Sequence, residues 1–220
     1  MRKRTQKLAV YVIIGMVCIS LIGTSFVFFM PPADDAVNGE SPSALEQEYN
    51  ARVQAVEQLK VTLQSKPEDL QTIVALADAY YKKSQLSIEL NEEEYKEDLN
   101  NAVHYYQEAL TKEEDTEVSL KLAASAFLLS TADATNQTYA ALAEKTYKEI
   151  LKKEPHDVDA LYGYGMYLFY VKQNYTQAKE YWQTALKYNT DEEMKSNLED
   201  MIGLAEGTEP ADSEGSGQEK

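Results

Sequence analysis

The stretch Tyr175-Thr-Gln-Ala178-Lys-Glu-Tyr-Trp182-Gln-Thr-Ala185-Leu186 decides how this chain is read. Ala178, Trp182 and Ala185 recur at helical spacing, so one helix offers a slender face to a neighbour and a bulky anchor beside it. Looser copies lie upstream at Ala102, Tyr106, Ala109 and Leu110, and at Ala143, Tyr147, Ile150 and Leu151. Each copy follows another amphipathic segment, marked by Ile73, Leu76, Ala77 and Tyr80, by Leu120, Ala123, Ala124 and Phe127, and by Leu161, Tyr164, Gly165 and Leu168. Three helix-turn-helix units therefore repeat along the chain, and the expected fold class is all-α.

The pattern resembles the tetratricopeptide repeat (TPR), in which a helix with large, large-small and large positions is answered by one with small, aromatic and small positions. The resemblance covers residues 70–190 and is strongest in the third unit. It implies a helical-hairpin repeat array of about three TPR-like units, in which small residues let paired helices approach to about 8 Å. Departures exist. The first unit carries about 13 extra residues between Tyr80 and Ala102, and the second about seven between Phe127 and Ala143. The closing proline stands only at Pro155, with Glu114 and Thr190 at the equivalent places.

Capping helices are expected at both ends of the array. The capping box Ser43-x-x-Glu46 opens a helix that runs to about Ser65, before Pro67. A second box, Thr190-x-x-Glu193, opens a last helix through Met194, Leu198, Met201, Ile202 and Leu204.

Outside the array, residues 8–30 form a run of 23 residues without a charge. At 1.5 Å per residue that is roughly 34 Å of helix, enough for one transmembrane span. Arg2, Lys3, Arg4 and Lys7 precede it and Asp34 and Asp35 follow, which places the 1–7 tail in the cytoplasm and the remainder outside. A cleaved signal peptide would have a shorter apolar core ending in small residues, whereas this run ends Phe26-Val-Phe-Phe-Met30. Residues 31–42, with three prolines and one glycine, read as a linker to a helical domain at 43–205. Residues 206–220, rich in Gly, Ser and acids, read as a disordered acidic tail. The expected location is the cell (inner) membrane, with the lipid bilayer held through residues 8–30.

Composition narrows the function classes. The chain has 21 Lys and Arg against 37 Asp and Glu, a formal net charge of −16, and all four basic residues of the first 30 lie in the tail. Nothing in the outer portion would neutralise phosphates, so nucleic acid is excluded as a partner. Cys18, the only cysteine, lies inside the apolar run, and the two histidines, His104 and His156, are far apart in sequence. No nucleophile–base pair, glycine-rich phosphate loop or calcium-loop spacing occurs, so no cofactor, metal, small-molecule substrate or catalysis is expected. The clusters at 92–94, 113–115 and 191–193 read as acids complementing helix starts. Asn136-Gln-Thr138 and Asn174-Tyr-Thr176 match a glycosylation triplet and are taken as chance.

Aromatic enrichment points instead to protein binding, for seven of sixteen tyrosines lie between Tyr162 and Tyr188. In the family it resembles, the first helices line a concave groove that holds peptides or helices. Carried over, that partner-binding groove would comprise Val74, Asp78 and Tyr81, then Lys121, Ser125 and Leu128, then Tyr162, Met166, Phe169 and Tyr170. The amide-and-lysine clamp with which some members grip a C-terminal carboxylate is missing, since Asp78 and Ser125 stand at its amide positions. The expected function is a membrane-anchored scaffold binding a protein or peptide of the bacterial envelope. The overall plan is also similar to the repeat portion of bacterial cytochrome c maturation subunits, which implies an apoprotein holder. A chaperone-like accessory of secretion is the other alternative.

Overall fold

The computed structural model describes residues 43–208. The basic residues 1–7, the apolar run at 8–30, the stretch 31–42 and most of the acidic C-terminal stretch lie outside the described residues. Among the described residues the chain is all-α, with no strand, and none of its helices is long and apolar enough to cross a membrane. The helices are α1 (Ala44–Ser65), α2 (Leu70–Leu90), α3 (Glu92–Lys112), α4 (Thr116–Ala132), α5 (Gln137–Lys153), α6 (Val158–Tyr167), α7 (Tyr175–Tyr188) and α8 (Glu192–Thr208). A π-helical turn at Leu168–Lys172 extends α6.

Helix boundaries follow from side chains that satisfy the first free amides. Asp69, Asp115 and Asp157 each accept from the amide three residues on, and Asn91, Asn136 and Asn174 do the same within two or three residues. Ser43 and Glu46 form the reciprocal capping box expected of α1. At α8 the expected box is corrected. Asp191, rather than Thr190, caps the helix by accepting from the Met194 amide at 2.7 Å. The last helix also continues to Thr208, three residues into the stretch read as tail.

Connections are short, so successive helices pack as hairpins on their sequence neighbours. Asn91 alone joins α2 to α3, closing the first and capping the second. The extra residues of the first unit therefore lengthen two 21-residue helices and leave no loop. The helix α4 is central, touching α3, α5, α6 and the π turn, and residues 122–130 are buried throughout.

The small–aromatic–small pattern is the core itself. Ala102, Tyr106 and Ala109 of α3, Ala143 and Tyr147 of α5, and Ala178, Trp182 and Ala185 of α7 are all buried. Tyr147 and Trp182 each need a gap on the helix they meet. A Cβ at Gly163 would stand 2.8 Å from Tyr147 Cζ, and one at Gly165 would stand 2.7 Å from Trp182 Cδ1, closer than side-chain carbons approach. The π turn ends at Gln173, whose φ of 55° puts a non-glycine residue in the left-handed region. The Asn174 amide then reaches back to the Leu168 carbonyl at 2.9 Å, closing the helix end.

Candidate binding face

The face expected to bind a partner spans α2, α4, α6 and the π turn. Its members converge in part. The Tyr106 hydroxyl donates to Asp78 Oδ1 at 2.6 Å, and Lys121 Nζ donates to Asp78 Oδ2 at 3.1 Å, joining α2 to α4 through a buried tyrosine of α3. Lys121 also pairs with Glu117 at 2.9 Å. Burial pulls the Lys121 ammonium down, but Glu117 and Asp78 together outweigh it and hold it above its ordinary value. Burial and the Asp78 carboxylate both push the Tyr106 phenol up.

Most of the expected groove is filled by the protein's own side chains. Tyr81, Ser125, Leu128, Tyr162, Met166 and Phe169 are buried, whereas Val74, Asp78, Lys121 and Tyr170 keep part of their surface. The first six thus pack into the core of this structure, and the other four remain partly open. The reason is crowding around the central helix, since α4 meets both α6 and the π turn. The Phe169 ring meets those of Tyr170 and Tyr175 edge-on, at 4.9 Å between centroids, and lies tilted against Trp182 at 5.7 Å. The Ser125 hydroxyl donates within its own helix, to the Lys121 carbonyl at 2.8 Å. What stays open is the end of the face nearest the starts of α4 and α6, where Glu117 and Asp159 are exposed.

Two polar clusters escaped the sequence reading. In the first, Lys83 and Asp98 form a buried ion pair at 2.9 Å between α2 and α3, and the Ser87 hydroxyl donates to the other Asp98 oxygen at 2.7 Å. Glu94 approaches the same ammonium at 3.3 Å, and the Tyr49 ring of α1 lies 5.4 Å from it. Burial pushes the Asp98 carboxyl up, while for Lys83 the pairing with Asp98 outweighs burial and leaves the ammonium raised. The cluster sits in the lengthened part of the first hairpin and ties α1 to it. Its sequence signal is faint: Ser84 and Ser87 continue the stripe begun by Tyr80, with polar atoms where a core helix would carry carbon.

The second cluster gathers Lys148, Lys172 and Tyr167 around Glu144, at 2.6, 2.9 and 3.0 Å. Lys148 first and Lys172 next hold that carboxyl down at about 2. It fastens the π turn to α5.

The remaining motifs are structural. His104 is exposed on α3, and His156 lies in the turn before α6, its ring 3.9 Å from that of Tyr188. Asn136 and Asn174 are helix caps, which accounts for both glycosylation-like triplets. Glu92, Glu93 and Glu94 occupy the first turn of α3, and Glu192 and Glu193 that of α8. Among the described residues no group of histidines, cysteines or acids could hold a metal ion.

No protein-family model matches the chain, and no curated protein is significantly similar to it in sequence. Fold and site together define an all-α protein of successive helical hairpins, with a partly open polar face across the first helix of each.

Proposed function

We propose that the chain is a single-pass, membrane-anchored scaffold of the tetratricopeptide kind, holding a protein partner on the extracytoplasmic side of a bacterial inner membrane. The observation that supports this most is that two first helices, α2 and α4, meet through Asp78 and Lys121, while Val74, Asp78, Lys121 and Tyr170 stay partly open. A surface made from repeated positions suits an extended peptide or a helix better than it suits a small molecule. Residues 8–30 would fix the protein in the bilayer, and residues 31–42 would give the domain limited reach. Tethering raises the effective concentration of any partner in the same membrane, so a shallow contact at Val74, Asp78, Lys121 and Tyr170 suffices. The reading assigns the protein no reaction and no cofactor.

Topology is testable with one cysteine. Ser196 is exposed on α8, and the only native cysteine, Cys18, lies in the apolar run. Ser196→Cys is expected to react with a membrane-impermeant maleimide in intact cells, or in cells with a permeabilised outer membrane. Labelling only after lysis would put the domain in the cytoplasm and end the envelope reading.

A further inference from the structure

The two end helices of the array are fastened very unequally. The last, α8, buries Met194, Leu198, Met201 and Ala205 within 17 residues, whereas α1 buries only Val56 within 22. Leu59 and Leu63 add partly covered contacts, and α2 is the one helix that α1 packs against extensively. A long helix held by so little apolar area opens at a lower free energy than the core it lies on. Otherwise α1 is largely self-contained. Ser43 and Glu46 close its start, and the Lys66 amide closes its end on the Thr62 and Leu63 carbonyls at 3.0 and 3.1 Å. Arg52 pairs with Glu48 at 3.0 Å and Lys60 with Glu57 at 2.8 Å, all within the helix. The array is equally independent of it. Asp69 caps α2 through the Thr72 amide at 3.1 Å, and Glu68 in the connection pairs with Lys112 of α3. A hinge at Lys66–Pro67 would therefore break no hydrogen bond within either helix.

The polar contact from α1 to the array centres on Tyr49. Its ring lies 5.4 Å from the Lys83 ammonium, and Glu94 stands 3.3 Å from the same ammonium. The Tyr49 hydroxyl faces that carboxylate; the hydroxyl first, against some lost solvation, and the Lys83 charge next hold Glu94 below its ordinary value. Behind the ammonium lies Asp98, at 2.9 Å. Charged groups regain hydration when they are uncovered, so lifting α1 from this pair costs less than exposing the same area of carbon.

We infer that α1 is a releasable strap: it lifts off α2 as a unit about Lys66–Pro67 while α2–α8 stay folded, with Tyr49 as its latch. Under the scaffold reading, on which this consequence alone rests, residues 31–65 would then tether the array in place of 31–42. The flexible reach would lengthen from roughly 20 Å to roughly 30 Å. Hydrogen exchange of the full chain in detergent, read by mass spectrometry across a urea series, tests the strap directly. Amides of residues 48–65 are expected to exchange about a hundredfold faster than those of α4, with one shared urea dependence shallower than that of α4. Tyr49→Leu should speed exchange throughout α1 about three- to tenfold and leave residues 116–188 unchanged. Arg52→Gln, which removes an ion pair internal to α1, should change it less than about twofold. Equal protection of α1 and α4, or an equal response of both to Tyr49→Leu, would overturn the strap. Exchange graded along α1 without a shared urea dependence would be fraying and would overturn it as well. An unchanged rate in Tyr49→Leu, or equal effects of the two variants, would remove the latch. None of these results bears on whether a partner binds the face of α2 and α4, which crosslinking reads separately.

Discussion

Trp182→Ala is expected to lower the stability of the folded chain by roughly 3–5 kcal/mol, the loss typical of deleting a buried aromatic side chain. Trp182 is fully buried, and its indole N–H donates to the Tyr162 carbonyl at 3.1 Å. Its ring fits against Gly165 of α6 and tilts onto Phe169 of the π turn. Truncation would leave a cavity that α6 and α7 cannot close, since both are pinned by Ala178 and Ala185 packing nearby, and it would strand the Tyr162 carbonyl. In a chain where each hairpin leans mainly on the next, the damage should be local first. Urea unfolding of the full chain measures the loss, and hydrogen exchange locates it in residues 158–208. A loss below about 1 kcal/mol would mean that the α6–α7 interface is not a packed core.

Asp98→Ala is expected to cost a similar amount, roughly 3–5 kcal/mol, for a different reason: it leaves the Lys83 ammonium in the core without its counter-charge. The side chains of Lys83 and Asp98 are 10% and 3% exposed, so solvent cannot take over the missing role. Glu94, at 3.3 Å and more exposed, compensates in part. The double variant Lys83→Met/Asp98→Leu should recover most of the loss, because a well-packed apolar pair removes both desolvation costs. A double-mutant cycle by denaturant unfolding separates the two outcomes. If Asp98→Ala costs less than about 1 kcal/mol, the pair behaves like a surface salt bridge and does not hold α1 against the hairpin.

These two sites also mark what the sequence discloses and what it hides. The Ala178–Trp182–Ala185 spacing is local, so helix, buried face and the need for Gly165 can all be read from one window. Caps are equally local, although a window with Asn189, Thr190 and Asp191 in succession offers several, and geometry selected Asp191. Lys83 and Asp98 are a different case. They meet only because α2 and α3 turn on the single residue Asn91, a register that no periodicity specifies. The burial of six of the ten expected groove residues was hidden for the same kind of reason. Spacing assigns Tyr81, Leu128 and Met166 to one face of their helices, but whether that face is open depends on how closely α4 is approached by helices that do not adjoin it in sequence. The bulk that suggested a binding surface is what filled it.

The central claim is that a protein partner is held on the face shared by α2, α4 and α6. In-cell photo-crosslinking from a probe at half-buried Tyr170, compared with one at exposed Lys145 on α5, tests it most directly. The account predicts one dominant envelope protein captured from position 170 and none from position 145. No adduct from 170, or the same set of proteins from both positions, would contradict it.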